Sequence, residues 1–153
     1  MFYKTYCVLP KGSRNAALQS LGSGNAFATR LPDAAVAKLQ GGRPNGVAWA
    51  VRSPRNAQLL LEFEARGICA VRIADADEAS VQRAFKAITA GIAQEACAQL
   101  LEGPTDTRTQ NGARLTSKDY VIQQGGQKMH FGLTTANRRV GDQQHLMTFG
   151  LVK

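Results

Sequence analysis

The sequence predicts an α+β fold: one domain spanning residues 1–153, with an antiparallel β-sheet carrying two or three helices on one face. Three observations carry this expectation. In the middle third, apolar side chains alternate with a period of two through Val47, Trp49 and Val51, then Leu59, Leu61 and Phe63, then Cys69, Val71 and Ile73. Next comes a segment whose apolar residues (Val81, Ala84, Phe85, Ile88 and Ile92) recur at helical spacing. The last third returns to alternation, and its Asn111-Gly112 pair is a strong signal for a type I′ hairpin.

Element by element, the chain begins with a short apolar run, Tyr6 to Leu9, and a turn at Pro10-Lys11-Gly12. Ser13 reads as an N-cap, Leu18 and Leu21 as a small apolar face, and Gly22 as the stop of a first helix. A second helix is expected from Pro32, at its first position, to Gln40, with Ala35, Val36 and Leu39 inward and Gly41-Gly42 ending it. Strands then run over Gly46–Arg52 and the segments beginning at Leu59 and Cys69, with turns at Ser53-Pro54-Arg55-Asn56 and Arg66-Gly67. Short turns between adjacent strands make an antiparallel meander. Asp75 and Glu78 have the spacing of a capping box, and the helix they open is expected to end near Glu95. From Ala98 onward the chain reads as strands around Tyr120–Ile122, around Met129, Phe131 and Leu133 after Gly125-Gly126, and around His145, Met147, Phe149 and Leu151.

Hydrophobic residues make up 44% of the 153, enough for a proper core without help from metals. No apolar run approaches the roughly 20 residues that span a bilayer, so no transmembrane segment is expected. Met1-Phe2-Tyr3-Lys4 lacks the charged and apolar regions of a signal peptide, which leaves a cytosolic protein or a processed form as the alternatives. The net charge of +8 is uneven. Residues 1–61 hold eight Lys/Arg against Asp33 alone (+7), residues 62–102 four against seven acids (−3), and residues 103–153 seven against three (+4). Such a distribution favours anionic partners, either nucleic acid or the acidic surface of a protein or polymer.

Motifs for chemistry are sparse. The cysteines at positions 7, 69 and 97 form no C-x-x-C pair, and no two His/Cys residues lie at ligand spacing, so neither a metal nor a cofactor is expected. His130 and His145, with Lys128, could supply the acid, base and charge stabiliser of a metal-independent nuclease if the last two strands form a hairpin. Cys7 or Cys97 with either histidine could form a nucleophile pair of a cysteine-dependent hydrolase, although no local signature supports it. Gly22-Ser23-Gly24-Asn25 follows a helix rather than a strand, so it reads as a helix end and not a phosphate loop. Trp49 alternates with Val47 and Val51 and is expected in the core. Tyr3, Tyr6 and Tyr120 lie off the apolar faces and do not cluster in sequence. No catalytic residue is assigned.

The order Cys7…Leu31-Pro32…Gly46-x-Ala48-Trp49…Leu59-x-Leu61…Gly67-x-Cys69-x-Val71 resembles a family of small uncharacterised proteins exported by proteobacteria. The similarity extends through the acidic turn and amphipathic helix from Asp75 to Ile92, about two-thirds of the chain. It implies a periplasmic or secreted protein with a Cys7–Cys69 disulfide, leaving Cys97 free. It carries no activity.

The expected function is therefore a non-enzymatic exported binding or accessory domain. Its partner would be another protein or an anionic polymer, met through a basic surface of Arg30, Arg43, Arg52 and Arg55. Strand alternation and turn chemistry place Arg43, Arg52 and Arg55 along one exposed edge. The helix bearing Phe85 and Ile88 is expected to pack against the sheet face carrying Trp49 and Leu61.

Overall fold

The computed structural model describes residues 2–22, 26–52 and 58–152. A π-helical segment, Lys4–Val8, leads through the turn at Pro10 to α1 (Arg14–Leu21). Ser13 caps α1 by accepting a hydrogen bond from the Ala16 amide at 3.2 Å, and Gly22 ends it at φ 54°. A three-residue strand, β1 (Ala28–Arg30), precedes α2 (Asp33–Leu39). Its Ala-Thr-Arg carries no alternation, which is why the sequence does not announce it. Pro32 stands one residue before the first helical position, as the N-cap, and Asp33 and Lys38 occupy the first and last turns with the signs the helix dipole favours.

The middle strands form where expected: β2 (Val47–Arg52), β3 (Gln58–Phe63) and β4 (Ile68–Ile73). α3 (Glu78–Glu95) follows. Its cap is Asp77 rather than Asp75: Asp77 holds the extended backbone just before Glu78, and its carboxylate accepts from the Ser80 amide at 2.8 Å. The capping-box spacing from Asp75 is thus not used. Glu78 instead accepts from the Thr135 hydroxyl at 2.9 Å, tying the start of α3 to the sheet.

Four strands complete the chain: β5 (Gln99–Gln110), β6 (Ala113–Gln124), β7 (Gln127–Ala136) and β8 (His145–Val152). Asn111 (φ 49°) and Gly112 (φ 73°) make the β5–β6 turn, both with the positive φ that a type I′ turn requires. All eight strands form one antiparallel sheet in the order β1-β2-β3-β4-β8-β7-β6-β5. Two four-stranded meanders therefore meet at the β4–β8 pair, and α3 carries the chain from the middle of the sheet to its far edge.

One face of the sheet carries the main core. The π-helical segment and α1 cover the first meander, and α3 covers the second. Trp49 is fully buried, donates from Nε1 to the Gly22 carbonyl at 3.2 Å, and meets Phe63 edge-on. Cys7 in the π-helical segment is bonded to Cys69 of β4, with Cα atoms 5.3 Å apart, and Cys97 is a free, exposed thiol.

The packing of α3 differs from the expectation. Phe85 is buried, but between Tyr3 (5.7 Å between ring centroids) and Tyr120 (5.9 Å), and α3 lies on β7, β5 and β8 rather than over Trp49 and Leu61. A crossover that must reach the far edge has to run over the second meander. Tyr3 and Tyr120, separate in sequence, meet here as core aromatics.

Among the described helices, α2 alone lies on the opposite face, so the helices do not all share one face as expected. Small side chains at Ala48 and Ala70 let it approach the sheet, Val36 is buried beneath it, and the Gln40 amide donates to the Phe63 carbonyl at 3.3 Å. No helix among the described residues is long and apolar enough to cross a membrane.

Candidate binding groove

Strand alternation puts Ala50, Leu60 and Arg72 on the α2-bearing face, opposite Trp49, Leu61 and Val71. These three form the floor of a half-open groove of about 1080 Å³. One wall is α2, through Ala35, Lys38 and Leu39, and the other is the loop from Arg139 to Gln143. Phe27, Thr29 and Leu31 close the side next to β1, and Arg52 and Gln58 stand at one end.

Arg72 holds the two walls together. Its Nε donates to Glu62 Oε1 at 2.8 Å, one terminal nitrogen to Gln143 Oε1 at 2.6 Å, and the other to the Leu39 carbonyl at 3.4 Å. The guanidinium thus links the loop, the sheet and the end of α2. Glu62 is 3% exposed, and its second oxygen has no hydrogen-bond partner among the described residues. Burial pushes its carboxyl above the ordinary glutamate range, and the adjacent Arg72 charge opposes that shift only in part.

The remaining charges of the groove are uncompensated. Lys38, Arg52 and Arg139 are exposed, and none has a carboxylate partner among the described residues, where eight other ion pairs are found. Only Asp142 among the lining residues opposes them, since Arg72 is neutralised by Glu62. The result is a floor of Ala50 and Leu60 around the paired Arg72, under a rim of unpaired cations.

Of the basic surface expected from sequence, Arg52 lines this groove. Arg30 does not line it: in the β1–β2 register it stands opposite Trp49, on the other face from the groove floor, with Asp33 at 3.8 Å. Arg43 does not belong to it: its guanidinium pairs with Glu64 at 3.1 Å, where Val47 faces Phe63, whereas Arg52 faces Gln58 at the other end of β2. The length of β2, roughly 3.3 Å per residue, separates the two. The shared edge is therefore not formed by Arg43 and Arg52, and Arg55 lies outside the described residues. Sequence reasoning missed Lys38, Arg72 and Arg139. The available signal was Arg72 itself, a charge within an alternating strand on the side opposite Cys69, Val71 and Ile73.

A search against protein-family models, curated proteins and solved structures finds no match.

The histidine site imagined from sequence does not assemble. β7 and β8 do pair, but His130 faces Gly150 on the open side of the sheet and His145 faces Ile73 on the core side. His145 is buried, with Nδ1 accepting from the Ala136 amide at 3.4 Å and Nε2 donating to the Ala76 carbonyl at 2.9 Å. It is a structural pin joining β8 to the start of α3. His130 pairs with Asp119 at 3.2 Å on the surface. Lys128 sits opposite Val152, at the start of β7. The nucleophile pair fares no better: Cys7 is consumed by the disulfide, and no hydrogen bond joins Cys97 to either histidine among the described residues. Gly22 caps α1, and Ser23-Gly24-Asn25 lie outside the described residues.

Proposed function

We propose that this chain is a non-enzymatic exported binding domain that seats an acidic, partly aliphatic segment of a partner protein in the groove between α2 and the 139–143 loop. The observation that carries this reading is the rim of Lys38, Arg52 and Arg139, without carboxylate partners among the described residues, beside the aliphatic lining of Leu39, Leu60 and Ala50. Unpaired cations beside an apolar surface gain most from a ligand that brings carboxylates and aliphatic side chains together. The groove is also half-open, so a segment of a larger partner can enter it from solvent. Among the described residues Phe27 is the single aromatic in its lining, which gives nucleic acid bases little to stack on. The buried Cys7–Cys69 bond supports an oxidising, extracytoplasmic location.

The test is binding of a fluorescent peptide of alternating glutamate and leucine. Wild-type protein should bind it with an affinity that falls as salt is added. The pair Arg52→Glu and Arg139→Glu should abolish binding, while Lys128→Glu on β7 should not. Equal binding by the groove variant overturns the proposal. Tighter binding of a single-stranded RNA, lost in the same variant, would assign the groove to nucleic acid instead.

A further inference from the structure

β5 is an edge strand, paired with β6 on one side and, among the described residues, with nothing on the other. A bulge between Glu102 and Thr105, next to Pro104, interrupts its first half. Beyond that, Thr105–Gln110 runs regularly to the hairpin and is exposed along its whole length. Natural edges usually carry lysines, prolines or bulges that discourage further pairing. Here those devices stop at Pro104, and the remaining segment alternates threonine, a good strand former, with Asp106, Arg108 and Gln110.

The hairpin geometry fixes which backbone groups face outward. Gln110 and Ala113 flank the two-residue turn, so they form a hydrogen-bonded pair, and so do Arg108 with Leu115 and Asp106 with Ser117. The N–H and C=O groups of Thr105, Thr107 and Thr109 therefore point away from β6, free for another strand. Asp106 and Arg108 project to the same face of the sheet, and neither has an ion-pair partner among the described residues.

We propose that this edge pairs with a second copy of the same chain, antiparallel, about a two-fold axis at Thr107. In that register Thr107 faces its own counterpart, Thr105 faces Thr109, and each of these pairs uses the outward backbone groups. Asp106 of each copy then stands opposite Arg108 of the other, in non-hydrogen-bonded positions, where facing side chains come closest. The segment is thus complementary to itself in backbone pattern, side-chain type and charge. Shifting the register by two residues places Asp106 opposite Asp106 or Arg108 opposite Arg108, so the charges also select the alignment. The two sheets would join into one continuous sheet at the edge remote from the groove, leaving both grooves open.

Sedimentation velocity of the full chain over a concentration series tests this. Wild-type protein should show a concentration-dependent monomer–dimer equilibrium. Asp106→Arg and Arg108→Asp each replace two facing attractions by two repulsions and should weaken dimerisation by roughly tenfold or more. The double swap, Asp106→Arg with Arg108→Asp, should restore it, and mixing the two single variants should give a heterodimer. Thr107→Pro, which removes an outward N–H without touching the β6 ladder, should also disrupt it. Monomer at every concentration, single reversals that leave association unchanged, or a double swap that fails to recover it would each overturn the proposal.

Discussion

Breaking the Cys7–Cys69 bond should be the most damaging covalent change to this fold, and its size can be worked from the structure. The two cysteines are 62 residues apart in sequence and both are fully buried. Closing a loop of that length in the unfolded chain removes conformational entropy equivalent to about 4 kcal/mol in the chain-entropy model. Whole domains of this kind are stable by only about 5–15 kcal/mol. The bond also has a local role: it ties the π-helical segment to β4, beside the turn where Gly12 packs against the Gly67 carbonyl. The experiment is urea unfolding of a Cys97→Ser background, intact and reduced, with the thiol state verified by mass after alkylation. The reduced protein should lose about 4 kcal/mol and show a steeper denaturant dependence, because its unfolded state is more expanded. Hydrogen exchange should then report faster opening of residues 4–22 than of β5–β8. An unchanged midpoint in fully reduced protein would refute the reasoning.

Other outcomes follow from single contacts. Because Glu62 has a raised pKa when folded, its ionisation opposes folding: its contribution is fully favourable below the ordinary value of 4.5 and is lost as pH rises through the folded value. Glu62→Gln should therefore gain stability relative to wild type as pH rises above 4.5, and thermal melts showing a flat or falling difference would contradict this. A Cβ at Gly12 would stand 2.8 Å from the Gly67 carbonyl oxygen at φ 70°, whereas one at Gly41 meets nothing within 4 Å at φ 64°. Both substitutions by alanine incur the left-handed backbone penalty of about 1–2 kcal/mol, and only Gly12→Ala should cost clearly more, as comparative urea melts will show.

What the sequence made legible was set by local chemistry. Ser13 and Gly22 bracket α1 because capping depends on a hydroxyl and a missing Cβ, and Asn111-Gly112 turns because both residues tolerate positive φ. The apolar stripe of α3 was visible too, although the buried face is centred on Phe85, Thr89 and Ile92, while Ala84 is exposed. What was hidden depends on which strands meet. Nothing local says that β8 returns to β4, and that pairing is what sends α3 over the second meander; the β7–β8 register, equally unmarked in sequence, puts His130 and His145 on opposite faces. The groove was hidden for the same reason, since its lining comes from β1, α2, the first meander and the 139–143 loop, segments far apart in the chain. The basic bias of the first 61 residues pointed towards an anionic partner and correctly included Arg52 among its exposed cations. It could not distinguish Arg43, spent on Glu64, from Lys38, left unpaired.

The proposed function has an acidic, partly aliphatic segment lie in the groove between α2 and the 139–143 loop. Amide chemical-shift mapping with the alternating glutamate–leucine peptide tests it most directly. Saturable shifts should concentrate at Leu31, Lys38, Leu60, Arg72 and Val140, with the helix-covered side of the second meander, around Phe131 and Tyr120, undisturbed. Shifts centred on His130 and Asp119, or none up to saturating peptide, would contradict it.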